Sequence, residues 1–331
     1  MSWLRTATLI RAVLICCLSM PVTEGKAEAS KAESGYIPTH DGSRLFYRKL
    51  GSGPQTVIIP GGFLFGSAFD GLAGKQRTII FYDMRDRGAS DRIEDAALLT
   101  MENDVRDLET IRSHFGVKKF VPVGYSYLGF MVVLYAKDHP QHVERIVQLG
   151  PVPRQWDTKF PDHLTNRDLR QIITDEEWNP LEELKKQGYD KSHPKEYCEK
   201  RYQVLRVMLV GDPKNADKIP NYCHLPNEWP VNFDRHMQAH FVGSVQKLKV
   251  PKEEVQRVAV PVLTIHGTKD RNAAYGAGRE WALTLPDARL VTVKGAAHQS
   301  WADQPELVFD SMRAFLDGKW PAAAEKITSL E

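Results

Sequence analysis

Short apolar runs alternate with amphipathic segments along most of this chain. Runs with the length of buried strands occupy residues 56–59, 78–82, 120–123, 143–149, 261–265 and 289–293. Between these runs, apolar residues at helical spacing predict helices over residues 102–115, 130–138, 278–285 and 305–316. Strands that alternate with helices predict an α/β fold, in which helices cover both faces of a mainly parallel sheet.

The alternation stops between about Pro153 and Val250. Charged residues of both signs become dense there, strand-like runs disappear, and helices are predicted over residues 181–188 and 197–209. We interpret this segment as a helical cap inserted between two strands of the sheet. The core then comprises residues 35–152 and 251–318, the cap residues 153–250, and the C-terminal tail residues 319–331.

The first 25 residues differ from the rest of the chain. Arg5 and Arg11 precede an apolar run from Ala12 to Met20, which is too short to span a bilayer and is followed by small residues. This is the plan of a secretory signal peptide over residues 1–25, with a disordered leader over residues 26–34. The pattern predicts a protein that is secreted or periplasmic after cleavage, and the alternative is an N-terminal membrane anchor.

Composition and charge narrow the possible functions. The chain has 331 residues, of which 42% are apolar, and a net charge of +2. These values are typical of a soluble enzyme and provide no basic surface for a nucleic acid or an anionic membrane. No Gly-rich phosphate loop is present, so we expect no cofactor. His236 and His240 lie four residues apart, but a zinc ion would need further ligands, and a structural role is favoured.

The cysteines allow one cross-link in the mature chain. Cys16 and Cys17 lie within the expected signal peptide, which leaves Cys198 and Cys223. In an exported protein these two could form one disulfide within the cap, and two buried free thiols are the alternative.

Candidate chemistry is concentrated around Ser126. This serine stands between an apolar strand and a helix, with Gly124 two residues before it and Gly129 three residues after it. The arrangement predicts a nucleophile elbow, a tight turn that lifts the serine hydroxyl out of the sheet. It also directs the backbone N–H of Tyr127 towards the helix N-terminus, where an oxyanion would be stabilised. Leu128 replaces the second glycine of the usual G-x-S-x-G pattern.

Two further candidates follow later strands. Asp270 lies just after the strand at residues 261–265, and His298 just after the strand at residues 289–293. Since the carboxyl ends of parallel strands share one edge of the sheet, both side chains are expected near Ser126. The order Ser, Asp, His predicts a catalytic triad, in which the histidine takes the serine proton and the aspartate orients the histidine.

With these stretches the chain resembles the α/β-hydrolase superfamily, and within it the proline iminopeptidase-like members of peptidase family S33. The resemblance is carried by residues 83–91 (Asp-Met-Arg-Asp-Arg-Gly-Ala-Ser-Asp), 123–129, 266–270 and 295–306. It implies an α/β-hydrolase fold with an inserted cap, and serine hydrolase chemistry. In this family the Asp-x-Arg-x-x-Gly-x-Ser run braces the sheet and is not catalytic.

The chain departs from the family pattern at two places. The loop Pro60-Gly-Gly-Phe63 lacks the usual histidine, so the second oxyanion N–H belongs to Phe63 in one alignment and to Gly62 in the other; we prefer Phe63. The cap has no clear acidic patch for the free amine of a peptide substrate. Asp175-Glu-Glu-Trp178 is a candidate, but an acidic helix start at Thr174 is the favoured interpretation.

These features predict an exported serine hydrolase without cofactor or metal, which cleaves a small ester, amide or short peptide through an acyl-enzyme on Ser126. One alternative is a cofactor-free oxidoreductase or perhydrolase on the same fold. Another is a catalytically inactive binding protein, against which an intact triad argues.

Overall fold

A nine-stranded sheet organises the computed structural model, which describes residues 32–165 and 172–330. The expected signal peptide, and the leader up to residue 31, lie outside the described residues. The strands are β1 (Glu33–Pro38), β2 (Arg44–Leu50), β3 (Gln55–Pro60), β4 (Arg77–Tyr82), β5 (Val121–Tyr125), β6 (Ile146–Leu149), β7 (Val262–Gly267), β8 (Ala288–Val293) and β9 (Ala324–Glu325).

The sheet is parallel through its centre. Its order is β1-β2-β4-β3-β5-β6-β7-β8-β9, and the pairs from β4–β3 through β7–β8 are all parallel. The outer pairs β1–β2, β2–β4 and β8–β9 are antiparallel. The predicted mainly parallel sheet is therefore confirmed, and the loops that follow β5, β7 and β8 leave from the same edge.

Helices cover both faces of this sheet. They are α1 (Met101–His114), α2 (Tyr127–Asp138), α3 (Asp175–Lys186), α4 (Tyr189–Ser192), α5 (Pro194–Leu205), α6 (Pro230–His236), α7 (Lys252–Val255), α8 (Tyr275–Thr284), α9 (Ser300–Asp303) and α10 (Pro305–Leu316). A π-helical turn, Met237–Val242, continues α6. Within the described residues, none of the helices combines the length and the apolar character needed to cross a membrane.

Successive residues of the central strands pack into two apolar cores, one on each face of the sheet. In β3, Ile58 packs with Phe130 and Trp281 on the face that carries α1, α2 and α8. Its neighbours Val57 and Ile59 pack on the opposite face with aromatic residues of α9 and α10. Because successive side chains of a strand point to opposite faces, a continuous apolar run is what a strand buried on both sides requires.

The segment between β6 and β7, residues 153–250, is called the insertion below. In its described part the only strand-type pairing is a single bridge between Gln155 and Lys249, near its two ends. Its α3 begins with a capping box in which Thr174 and Glu177 satisfy each other's backbone N–H groups, as predicted for an acidic helix start. A buried ion pair, Arg87 with Glu228 at 2.8 Å, joins the insertion to the core.

Both ends of the described chain are more ordered than the sequence predicted. Glu33 and Ser34, expected at the end of a disordered leader, lie in β1 and pair with β2. Within the expected tail, residues 324–325 pair with β8 as β9. Trp320 explains the second difference, because its ring packs against Phe315 at 5.0 Å and so anchors the chain beside the sheet edge.

Cys198 and Cys223 are joined as a disulfide with Cα atoms 5.7 Å apart. The bridge ties α5 to the loop before α6, entirely within the insertion. Closing a loop of this length contributes roughly 3 kcal/mol to the free energy of unfolding in the chain-entropy model.

We expect a chain that begins at residue 26 to present no free thiol when it is denatured without reductant, and two after reduction. Thiol titration of protein exported from its host measures this directly. Two free thiols in the unreduced sample would contradict the bridge.

Candidate active site

Ser126 occupies a strained turn between β5 and α2. Its backbone has φ 58° and ψ −126°, a region that non-glycine residues rarely adopt. The Ser126 N–H donates to Leu149 O at 2.9 Å, which ties the turn to the neighbouring strand β6. A side chain at Gly124 would lie 2.2 Å from Leu128 O, so the close crossing of strand and helix requires glycine at that position. These are the features of the predicted elbow.

Leu128, the departure from the usual pattern, is accommodated by another glycine. Its side chain is buried, and a Cβ on Gly61 would stand 3.1 Å from Leu128 Cδ1. Gly61 also has φ 73°, in the left-handed region. The leucine therefore packs onto the loop after β3 at the point where that loop has no side chain.

Asp270 and His298 form a buried hydrogen-bonded pair. His298 Nδ1–H donates to Asp270 Oδ2 at 2.7 Å, and Asp270 is fully buried. The other oxygen of Asp270 accepts the backbone N–H groups of Asn272 and Ala273, both at 2.9 Å. Because Nδ1 carries the proton, Nε2 of a neutral His298 has a free lone pair that can accept a proton.

His266 is a further partner of Asp270 that the sequence analysis did not identify. Its Nε2 lies 3.0 Å from Asp270 Oδ2 and 3.1 Å from Ala273 O. Since both neighbours are acceptors, Nε2 carries the proton and donates to them. The four-residue spacing between His266 and Asp270 on the chain was the available signal.

These donors determine the charge state of Asp270. Burial alone raises the pKa of the carboxyl, but the charge of His298 and the hydrogen bonds from His266 and His298 outweigh burial and hold that pKa well below its usual range. Asp270 is thus an ionised group in a dry site, and it favours a proton on the Nδ1 that faces it.

The chain brings His298 to the elbow through residues that flank Ser126. The Tyr125 ring lies against the His298 ring, with centroids 4.6 Å apart. Gly150, next to the residue that binds the Ser126 N–H, is so close to the pair that a Cβ would lie 3.1 Å from Asp270 Oδ2 and 3.2 Å from His298 Nδ1. Asp270 and His298 therefore lie beside the ends of β5 and β6, where the Ser126 turn also lies. Among the described residues, Ser126 and His298 form no hydrogen bond with each other.

Two backbone donors near Ser126 are available to a substrate oxygen. Within the described residues, the N–H groups of Tyr127 and Gly62 have no hydrogen-bond partner. The Phe63 N–H, in contrast, donates to Asp83 Oδ1 at 2.9 Å. Contrary to our preference from the sequence, Phe63 is already engaged, and Gly62 is the donor that the loop after β3 offers.

The run that starts at Asp83 braces this loop. Besides Phe63, Asp83 accepts the N–H of Ala89, and burial raises the pKa of its carboxyl to about 6. Arg85 is buried between the carboxylates of Asp107 and Asp41, at 2.7 and 2.8 Å. The structural role expected for this run is visible in these contacts.

Neither the acidic start of α3 nor Glu228 is a clear binding group for a substrate amine. Asp175 and Glu177 belong to the exposed first turn of α3, where Glu177 completes the capping box. Glu228 is buried, but it accepts two hydrogen bonds from Arg87, at 2.9 and 2.8 Å, and one from the Gly88 N–H at 2.7 Å. Its charge is therefore already matched.

His236 and His240, here called the histidine pair, are buried structural groups. Nδ1 of His236 lies 3.2 Å from Asp86 Oδ2, and Nε2 of His240 lies 2.6 Å from Asp104 Oδ2. The two rings stack at 5.0 Å, and the His240 ring also contacts the Tyr127 ring at 5.2 Å. The pair thus links the insertion to the core beside the elbow, in agreement with the structural role favoured from the sequence.

Family profiles match most of the core. A profile described as "alpha/beta hydrolase fold" matches residues 56–178, and one described as "TAP-like protein" matches residues 236–326. The first spans the elbow, and the second spans the loops that carry Asp270 and His298.

Curated relatives and solved structures agree with these profiles. A proline iminopeptidase of Lactobacillus helveticus is 31% identical over 83% of this chain and 95% of its own length. The bifunctional esterase/perhydrolase DCH of Acinetobacter calcoaceticus is 23% identical over 85% of this chain and 99% of its own. An esterase from Exiguobacterium antarcticum superposes with a TM-score of 0.64 at 16% identity, covering 86% of this chain and 100% of that structure.

His236 makes the attachment of the insertion sensitive to pH. Burial, together with the charges of Arg87 and His240, lowers the pKa of His236 to about 4 against the opposing effect of Asp86. The folded protein therefore binds fewer protons than the unfolded chain between about pH 4 and the usual histidine value near 6.5. This contribution to stability is fully present above pH 6.5 and is lost as the pH falls to 4.

His236→Asn keeps a donor for Asp86 but cannot titrate. Between pH 6.5 and 4 we therefore expect the free energy of unfolding of this variant to fall by roughly 3 kcal/mol less than that of the wild type. Thermal melts of both proteins between pH 4 and 7.5 measure it, with the exposed His163→Asn as control. Parallel melting curves for wild type and His236→Asn would contradict the assignment.

Proposed function

The chain belongs to the α/β-hydrolase family and is an enzyme, and from that premise we propose that it is a serine hydrolase with Ser126 as nucleophile, His298 as general base and Asp270 as the partner of His298. The observation that carries this proposal is the buried Asp270–His298 hydrogen bond of 2.7 Å beside a serine held at φ 58°. Strain of this kind at a strand end exposes a hydroxyl at the cost of backbone energy, and a merely solvated serine would not need it.

The geometry supports a two-step reaction. Nε2 of His298 takes the Ser126 proton as Oγ attacks the substrate carbonyl carbon, and the carbonyl oxygen becomes an oxyanion bound by the N–H groups of Tyr127 and Gly62. His298 then returns the proton to the leaving alcohol or amine. Water, deprotonated by the same nitrogen, hydrolyses the acyl-enzyme and restores the serine. Ionised Asp270 stabilises the imidazolium in both steps.

We propose small esters as the principal substrates, with amides or short peptides as the second class. The relative from Lactobacillus helveticus is a proline iminopeptidase and that from Acinetobacter calcoaceticus an esterase/perhydrolase. Release of an N-terminal residue requires a group that binds a free ammonium. Because Glu228 is already bound by Arg87 and Gly88, the insertion supports ester hydrolysis better.

We also propose that the enzyme is exported and that the insertion acts as a cap. The N-terminal pattern of residues 1–25 supports export, and the disulfide supports an oxidising compartment. The contacts of the insertion with the loops at the carboxyl edge, such as Gly211 N–H with Asp303 Oδ2 at 2.7 Å, support a roof over the serine. A roof excludes water and strengthens the oxyanion contacts.

We expect Ser126→Ala to lose labelling by a fluorophosphonate probe and to reduce ester hydrolysis by roughly four orders of magnitude or more, with its fold intact. His298→Ala should match it, and the double variant should be no worse than either, because the two residues act as one unit. Mass spectrometry of the labelled peptide and p-nitrophenyl butyrate hydrolysis are the measurements. The control is Ser113→Ala, at an exposed serine of α1, which should behave like the wild type. Full activity of Ser126→Ala would show that Ser126 is not the nucleophile.

A closed cap predicts a size limit. Activity on p-nitrophenyl esters should fall steeply as the acyl chain lengthens, and folded proteins should not be cleaved, because a cap over the serine would leave no open groove. A chain-length series from acetate to palmitate, with casein as the protein substrate, measures this. Degradation of casein, or a preference for long-chain esters, would contradict the closed cap.

A further inference from the structure

A cavity of about 260 Å³ lies between the insertion and the core. One face of α5 and the residues after it form one wall, α6 and the loop before it form another, and Asn272 of the core completes it. We call it the Arg201 cavity; its lining includes Cys198, Arg201, Tyr202, Tyr222, Glu228 and Phe233. It is smaller than pockets for drug-sized ligands, so it suits a short chain.

Three residues that line the Arg201 cavity contact the loops of the candidate active site. Asn272 donates its N–H to Asp270 at 2.9 Å. Leu209, which also lines the cavity, accepts the N–H of Gln299, the residue after His298, at 2.8 Å. The Tyr222 ring contacts the Phe63 ring of the oxyanion loop at 5.8 Å. A group bound there lies next to the catalytic loops.

The charged residues that line this cavity are not all equally well paired. Glu228, its only lining carboxylate among the described residues, forms a matched pair with Arg87. Within the described residues, the carboxylate in ion-pair contact with Arg201 is that of Asp234, at 3.4 Å, and Asp234 is held more closely by Lys185 at 2.9 Å. Arg201 is thus the less closely paired of the two cations that share this carboxylate.

Arg201 is placed to bind an anion. Its side chain is 25% exposed, so part of its solvation is already lost, and its guanidinium lies over the Phe233 ring at 5.6 Å. A guanidinium has five N–H donors in a planar fork that matches a carboxylate. The long contact with Asp234 leaves most of these donors for a ligand.

We propose that the Arg201 cavity binds the acyl part of the substrate and that Arg201 pairs with a carboxylate at its far end. The preferred substrates are then monoesters of short dicarboxylic acids. This inference rests on the proposed serine hydrolase mechanism: Ser126 Oγ bonds to the ester carbonyl carbon, the alcohol leaves with the serine proton, and water releases the dicarboxylate. An acyl chain with a terminal ammonium meets Arg201 and is rejected.

The test is a set of three p-nitrophenyl esters with six-carbon acyl chains. They end in carboxylate (the adipate monoester), in methyl (hexanoate) and in ammonium (6-aminohexanoate). We expect kcat/KM to be roughly tenfold higher for the carboxylate than for the methyl ester, as one charge-assisted hydrogen-bonded pair provides, and lowest for the ammonium ester. Rates without enzyme are subtracted.

Arg201→Gln should abolish this preference, so that kcat/KM for the adipate monoester falls to the value for hexanoate measured on the same variant. Lys200→Gln removes an equal charge from an exposed position one residue away on α5 and should keep the preference. Arg201→Lys, which retains the charge, should keep most of it.

The outcomes separate the two proposals. An enzyme that is labelled on Ser126 but shows no preference for the adipate monoester, or keeps that preference in Arg201→Gln, overturns the role of Arg201 and leaves the serine hydrolase intact. An enzyme that neither labels nor hydrolyses any of the esters overturns the proposed function and this inference with it. If Arg201→Gln does not fold, the order of kcat/KM values of the wild type for the three esters is the test of the proposal.

Discussion

The candidate site depends on one buried carboxylate. Asp270 has no solvent-exposed surface, and four donors surround it: two imidazole N–H groups, from His298 and His266, and two backbone N–H groups. A carboxylate can remain ionised in such a place only because every lone pair is occupied. The loops after β7 and β8 are therefore fixed to each other by a charge, and the Nδ1 proton of His298 faces Asp270.

The strands and loops around the candidate site could be predicted from the sequence because their determinants are local. Each of the three proposed catalytic residues follows a short apolar strand, and the carboxyl ends of parallel strands meet at one edge. Residues 56–59 and 261–265 are almost all apolar, which is the pattern of a strand buried on both faces, so β3 and β7 could be predicted from them. The starts of helices could also be predicted where Thr174 caps the helix or a proline stands at the first turn.

What the sequence did not reveal lies in contacts between distant segments. The Phe63 N–H is engaged by Asp83, 20 residues away, so the choice between Phe63 and Gly62 could not be made from the loop alone. Glu228 meets Arg87 across 141 residues, and no periodicity predicts which buried charges cancel. The short strand β9 depends on the packing of Trp320, a single aromatic residue whose partner is chosen by the fold.

The disulfide between Cys198 and Cys223 makes the walls of the Arg201 cavity sensitive to the redox state of the compartment. Cys198 belongs to a wall of the Arg201 cavity, and Cys223 adjoins Tyr222, which lies against the oxyanion loop. The bridge thus fixes the distance between α5 and the loop that carries Tyr222, neither of which belongs to the sheet. In a reducing cytosol this covalent link would be lost, although Tyr202 Oη–H would still donate to Ile219 O at 2.6 Å. If the Arg201 cavity binds the acyl chain as proposed, reduction would loosen the walls that select the substrate rather than the loops after β7 and β8 that carry Asp270 and His298.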